Sequence, residues 1–147
     1  MKASLTVTGI QEVIVGLRYI AQKIPANGRK QMHRIADQIV KEAKLNAPHD
    51  TGALEDSIHK VVTYEGTGRL SINIEMGGFV DGVDVDIYAV QVHENYSSMH
   101  PGKGTIQKRL ANPGRYIGEK FLERAEMAVR PNVNSEILQA VTEKIDL

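Results

Sequence analysis

The pattern of apolar and polar positions divides the chain into recognisable segments. Ala3, Leu5 and Val7 alternate with polar neighbours, which predicts a short strand or extended arm over residues 1–9. Ile10, Val13, Ile14, Leu17, Ala21 and Ile24 recur at helical spacing, so Ile10–Lys23 is expected to be a helix, with Thr8 as its cap. Ile24-Pro25-Ala26-Asn27-Gly28 then breaks the pattern, because Pro25 disfavours helical geometry at Ile24 and Asn and Gly suit turns. A second helix is expected from Gly28 to Asn46. Its stripe is Met32, Ile35, Ala36, Ile39, Val40, Ala43 and Ala47, and Pro48 follows its end.

The middle of the chain has the period of strands. Ile58–Tyr64 is rich in β-branched residues and runs into a Gly66-Thr67-Gly68 turn. Leu70, Ile72, Ile74 and Met76 alternate with Ser71, Asn73 and Glu75. Val83, Val85 and Ile87 alternate with Asp84, Asp86 and Tyr88 beyond a second turn at Asp81-Gly82. Three such strands in succession predict an antiparallel meander. Residues 95–114, with Pro101, Gly102, Gly104, Pro113 and Gly114, are expected to form a long flexible loop. Ile117, Phe121, Leu122, Ala125, Ala128 and Val129 mark another helix ended by Pro131. Ile137, Leu138, Val141 and Ile145 mark a short last one. Every element carries an apolar face that needs the same core, so residues 1–147 are expected to fold as one domain of the α+β class, helices packed against a small antiparallel sheet.

Composition narrows the function. The chain has 147 residues, enough for one core, with 18 basic and 18 acidic side chains and no net charge. A surface that grips DNA throughout would carry a basic excess. There is no cysteine, so disulfides and thiolate metal sites are impossible. The first residues lack the apolar core of a signal peptide, and no apolar run approaches the roughly 20 residues of a membrane span. The sequon Asn95-Tyr96-Ser97 is then a chance match.

Candidate chemistry is sparse. His93-Glu94 resembles the start of a zinc-protease motif, but that motif needs a second His four residues on, and position 97 is Ser. The pair is expected to be a polar feature near a strand end. Gly102-Lys103-Gly104-Thr105 resembles a phosphate-loop fragment, but Gly104 stands where Ser or Thr is required, and a flexible loop tip is expected. Asp81, Asp84 and Asp86 lack the Gly and distant Glu of a calcium loop; Asp84 and Asp86 are expected on the solvent side of a strand. His33 is expected at the surface, and no Gly-x-Ser-x-Gly nucleophile motif is present. No catalytic residue, cofactor or metal is therefore expected. Lys103, Lys108, Arg109 and Arg115 concentrate positive charge and form a candidate interface or DNA-facing loop; a nucleic-acid-binding module using residues 103–115 is the alternative reading.

The informative segment is Ala43-Lys44-Leu45-Asn46-Ala47-Pro48-His49-Asp50-Thr51-Gly52-Ala53-Leu54-Glu55-Asp56-Ser57-Ile58. It resembles the signature of the phage neck or tail-completion (head–tail connector) family typified by the gene-10 product of HK97-like phages. In that signature a helix ends in Ala-x-x-x-Ala-Pro, an Asp-Thr-Gly turn follows, then Leu, then Ser-Ile entering a strand. Ala43, Ala47, Pro48, Asp50, Thr51, Gly52, Leu54, Ser57 and Ile58 match it. Tyr88-Ala89-Val90-Gln91-Val92-His93-Glu94 resembles the family's Tyr-Ala-x-x-x-(His)-Glu segment, and Phe121-Leu122-Glu123-Arg124-Ala125 its C-terminal helix, so the resemblance runs over about residues 10–130. The chain departs from the family pattern after Glu94, where Asn95-Tyr96 and a longer loop replace Gly-Thr.

A physical rationale accompanies the signature. Pro48 stops the helix, Asp50 is expected to accept from nearby backbone N–H groups, and Gly52 allows a conformation other residues resist. Leu54 and Ile58 return the chain to the core. The resemblance implies a non-enzymatic structural virion protein, assembled in the host cytoplasm. It implies a ring, with six copies the expected number, at the head–tail junction or the top of the tail, needed for tail completion. Partners implied are further copies of the chain and neighbouring head-completion or connector and tail-tube or tail-terminator proteins. Passing contact with phage DNA is left open, and no membrane is involved. The N-terminal arm and the 95–114 loop are the segments expected to order against neighbours.

Overall fold

A computed structural model describes residues 2–9 and 13–142. Two strands, β1 (Lys2–Gly9) and β2 (Val13–Ile20), open the chain, followed by the long helix α1 (Ala26–Asn46) and a single turn of helix, α2 (Ala53–Asp56). Then come β3 (His59–Glu65), β4 (Arg69–Glu75) and the small hairpin β5 (Phe79–Val80) and β6 (Val83–Asp84). The helices α3 (Ala89–Asn95), α4 (Lys103–Ala111), α5 (Phe121–Val129) and α6 (Val133–Thr142) complete the α+β fold.

The main sheet is antiparallel in the order β1-β2-β4-β3. Val13, Val15, Leu17 and Tyr19 of β2, and Leu70, Ile72 and Ile74 of β4, are buried on the face covered by helices. Met32, Ile35 and Ile39 of α1 and Phe121, Leu122, Ala125 and Val129 of α5 pack on them in one cluster. α1 lies along β3 and β4, α5 reaches β2, and α6 reaches β1. The opposite face carries Ser4, Thr6, Gly16, Arg18, Ser71 and Asn73.

The expected helix over Ile10–Lys23 is not formed. Ile10–Glu12 lie outside the described residues, and residues 13–20 are a strand paired to β1 and β4 along their lengths. Both periods coexist here, because Val13 and Leu17 fit either. What decides is Val15 and Tyr19, which belong only to the two-residue period and are fully buried. Gly16 points the same way: glycine weakens a helix, while here a Cβ on it would stand 2.9 Å from the Thr6 hydroxyl of the next strand. Thr8, expected as a helix cap, is part of β1, which is therefore a paired strand rather than a free arm.

Three further expectations change. The meander does not form, because β2, not the segment after β4, takes the other edge of β4. The strand expected over Val83–Ile87 stops at Asp84. The Asp84 carboxylate accepts from the Asp86 N–H (3.2 Å) and starts a 3-10 turn over Val85–Ile87, so Val85 is buried while Ile87 is 79% exposed. Asp86 is thereby not a strand residue; its carboxylate accepts from the Gly78 N–H. Within residues 95–114, Lys103–Ala111 is a helix, and Tyr96–Ser98 a 3-10 turn. α4 buries only Thr105 and turns Ile106 and Leu110 outward, so it has no inward apolar stripe to betray it.

The reassigned strand is open to test. Tyr19→Ala is expected to lower unfolding free energy by about 3 kcal/mol or more in urea titration, whereas the half-buried Ile14 should lose only about 1 kcal/mol on replacement by Ala. A helix with the Ile10–Ile24 stripe would reverse that ranking.

Candidate functional site

Most of the singled-out residues meet where α1 ends. Ala47 N–H donates to the Ala43 carbonyl (3.0 Å), after which Pro48 takes the chain out of the helix. Gly52 has φ +93, the left-handed conformation its lack of a side chain permits, and α2 starts directly after it. The side-chain acceptor in this turn comes from Thr51, whose hydroxyl accepts from Ala53 N–H (3.3 Å); Asp50 makes no such bond among the described residues. Ser57 closes the next turn by donating to the Leu54 carbonyl (2.6 Å), and Leu54 and Ile58 are buried, so the chain enters β3 pinned to the core.

A helix end inside the protein leaves carbonyls that need donors. Lys108 of α4 supplies them: its ammonium donates to the carbonyls of Lys44 and Ala47 (2.6 Å each) and to Glu55 (3.0 Å). A cation at this end also complements the helix dipole. Glu55 in turn holds the His49 ring (2.6 Å). One turn earlier on α4, the buried Thr105 hydroxyl donates to the His49 carbonyl and accepts from the His49 N–H, both at 3.0 Å, and accepts from Tyr96 (3.2 Å). Gly104 is a helical position where the backbones nearly touch: a Cβ there would lie 2.6 Å from the His49 carbonyl oxygen.

Asn46 ties in the segment before α5. Its amide donates to the Phe121 carbonyl (3.3 Å), its carbonyl side-chain oxygen accepts from Arg115 (2.8 Å), and its backbone carbonyl accepts from Gly118 N–H (3.0 Å). Arg115 also pairs with Glu42 (2.9 Å), and Arg109 donates twice to the Ile117 carbonyl. Of the four basic residues expected to face a partner or DNA, Lys108, Arg109 and Arg115 thus direct donors onto this chain. Lys103 is exposed at the start of α4.

Pro48, Asp50, Thr51, Gly52, Leu54 and Tyr88 line one cavity of about 350 Å³, joined by Val92, Tyr96, His100 and Thr105. Burial and the negative charge of Asp50 raise the pKa of Tyr88, which therefore stays a neutral phenol. In the same cavity the Tyr96 hydroxyl donates to Thr105, which is itself bonded to the His49 backbone. Among the described residues, no three His, Asp or Glu side chains converge to hold a metal.

Glu94 belongs to a second cluster. His93-Glu94 lies in α3, not at a strand end. The His93 ring is buried edge-on against Phe121, centroids 4.8 Å apart, and its carbonyl accepts from Lys120 N–H (2.6 Å). Nε2 accepts from Glu123 N–H (3.5 Å), leaving Nδ1 to donate to Glu94 (3.3 Å), while Glu94 also binds the Lys120 ammonium. Burial lowers the His93 pKa and outweighs the opposing pull of Glu94; the Lys120 bond lowers that of Glu94. The pair fixes α3 to the start of α5. His33, expected at the surface, is half-buried beside Lys60 (3.2 Å).

Sequence reading missed Thr105, Gly104, Asn46 and the capping role of Lys108. Their partners lie 53 to 75 residues away along the chain, so no local spacing marks them.

Gly104→Ala is expected to cost roughly 1–3 kcal/mol through the clash with His49, with Gly102→Ala, which meets nothing within 4 Å, near neutral in the same denaturant assay. Replacing Lys108 by Met is expected to cost about 2–3 kcal/mol, because buried carbonyls and Glu55 lose their donor. The unfolded His93 imidazole takes up a proton below about pH 6.5, where the folded one still does not. Stability should therefore fall as the pH drops from about 7 to 5, and His93→Gln should flatten that slope in thermal melts. Glu94 contributes in the lower window: its stabilisation is present above about pH 4.3 and is lost as acid protonates the folded carboxylate.

A comparison with known proteins covers the range of this junction. The sequence model of one family, described as "Bacteriophage HK97-gp10, putative tail-component", matches residues 11–92, which is 82 of the 147 residues. The match takes in β2, α1, the Pro48–Ile58 junction, β3, β4, the small hairpin and the start of α3; β1, His93-Glu94 and Phe121–Ala125 lie outside it. No curated protein and no solved structure matches the chain. The chain belongs to the HK97-gp10-like family of phage tail components.

Proposed function

We propose that this chain is a structural protein of the tailed-phage virion that forms a ring at the head–tail junction or at the top of the tail and is needed to complete the tail and join it to the head. It acts by assembly rather than by catalysis. Its partners are further copies of itself, six in the closed ring, and the neighbouring connector and tail-tube or terminator proteins. The observation that carries this reading is the family match across the segment containing the Pro48–Ile58 junction.

The geometry supports it. The polar groups of that junction are turned inward: Lys108, Thr105 and Asn46 donate to backbone carbonyls, Glu55 binds the Lys108 ammonium and the His49 ring, and Ser57 closes a turn. An arrangement of this kind fixes the angle between α1, α4 and the sheet, which is what a subunit needs to present the same surfaces in every copy. The predicted consequence is genetic and visible. Phage lacking the gene should accumulate filled heads and separate tails, with joining restored by the supplied gene. Normal joined particles in its absence, seen by electron microscopy, would reject the proposal.

A further inference from the structure

The zero net charge conceals two opposed patches. Residues 70–102 contain Glu75, Asp81, Asp84, Asp86 and Glu94 and not one Lys or Arg. Residues 18–34 carry five basic residues and no Asp or Glu. In the fold these segments reach opposite ends of the sheet. The β5–β6 hairpin leaves the Glu75 end of β4, whereas the start of α1 sits at the Arg69 end, where Ile24 N–H donates to Thr67 and Arg29 binds Glu65 and Gly66. Seven strand residues separate them, roughly 20 Å.

Each patch pairs charge with apolar surface. On the hairpin and the 3-10 turn that follows it, Phe79 and Ile87 are 76% and 79% exposed, in the same stretch as Asp81, Asp84 and Asp86. Gly77 and Gly78, at φ +123 and +86, turn the chain from the end of β4 into this hairpin, whose Val80 and Val83 pack on the core. At the start of α1 a groove of about 650 Å³ is lined by Ile24 and Ala26, by Lys23, Arg29, Lys30, His33 and Arg34, and by one carboxylate, Glu65, which is paired with Arg29. Among the described residues neither Lys23, Lys30 and Arg34 nor the three hairpin aspartates form an ion pair. Exposed aromatic and aliphatic side chains rimmed by charge are what interface anchors look like.

We infer that the acidic hairpin of one copy, with Phe79 and Ile87 as anchors, docks into the basic groove at the start of α1 of the next copy. The occupant is a second copy because the two surfaces complement each other in both charge and apolarity. Face-to-face pairing of either patch with itself would set like charges together. Joining opposite ends of the sheet makes the contact heterologous, the kind that closes rings. This inference rests on the ring reading above and specifies its contact surfaces.

The absence of cysteine makes the test direct. Asp84→Cys and Arg34→Cys chains are made separately, mixed in equal amounts and oxidised gently. Cross-linked dimer is expected in the mixture and not in either chain alone. Equal cross-linking within Asp84→Cys alone, or none in the mixture, overturns the inference. In parallel, Lys30→Glu with Arg34→Glu should weaken self-association at least about tenfold by sedimentation, as should Asp81→Lys with Asp84→Lys. A chain carrying all four reversals should recover. Added salt should weaken the wild-type contact. A wild type still monomeric at about 1 mM and low salt sinks the pairing. So does tight binding of duplex DNA to the groove without self-association, which would make it a nucleic-acid surface. If particles hold a ring yet these cross-links do not form there, only the pairing of faces fails. A single copy per particle ends the ring reading itself.

Discussion

The fold depends on how a buried helix terminus is satisfied. α1 is the longest element and touches β2, β3, β4, α2, α5 and α6, so wherever it stops, the rest of the molecule must accommodate its last carbonyls. Water cannot reach them freely, and an unpaired buried carbonyl is costly. The Lys108 ammonium, with only 13% of its side chain exposed, takes two of these carbonyls, and Gly118 N–H takes that of Asn46. Those donors come from two segments far along the chain. The end of α1 is therefore where α4 and the entrance to α5 acquire their positions, and Pro48 ensures that it ends at one residue only.

The consequences spread outward from that point. Thr105 sits one turn before Lys108 on α4, so the cation that caps the helix also brings the Thr105 hydroxyl to the His49 backbone. Contact that close leaves no room for a Cβ at position 104. On the other side, Asn46 and Arg115 fix the strand of chain leading to Phe121, and the His93–Glu94–Lys120 cluster fixes α3 to the same place. Three helices are thus held by polar contacts to a junction whose own turn is built from Thr51, Gly52 and Ser57. The apolar core under it supplies most of the burial, but it does not by itself set the angles between these helices.

What was legible in the sequence divides along this same line. α1, β4, α5 and α6 each carry an apolar face legible from periodicity; β3, which buries none of its side chains fully, is legible from its β-branched residues, and the Pro48–Ile58 junction from its turn chemistry. α4 was not, because the face it buries is Thr105 and Lys108 rather than a hydrophobic stripe. β2 is ambiguous because Val13 and Leu17 satisfy two periods; Val15 and Tyr19 favour the strand, and pairing with β1 and β4, which no local pattern shows, buries them. The hairpin after β4 was misread because Asp84 caps a turn that ends the strand, so the alternation of Val83, Val85 and Ile87 does not describe one face. The basic residues of 103–115 were correctly seen as concentrated charge, but charge counts do not reveal that Lys108, Arg109 and Arg115 have acceptors within the fold.

That distinction changes how a balanced composition should be understood. Equal numbers of acidic and basic residues can mean local neutralisation, as at Lys108–Glu55 and Arg115–Glu42, or spatial separation, as between the hairpin and the start of α1. The former stabilises one chain and is invisible from outside. The latter leaves a field with a direction, at opposite ends of a rigid sheet, and Debye screening at physiological salt, about 8 Å, keeps the two patches of one molecule from neutralising each other across roughly 20 Å. Attraction is then strongest when a second molecule brings its opposite end into contact. On the proposed head-to-tail contact, the charges paired inside the chain, at Lys108–Glu55 and Arg115–Glu42 among others, set its shape, and the unpaired charges of the hairpin and of the start of α1 set which faces meet.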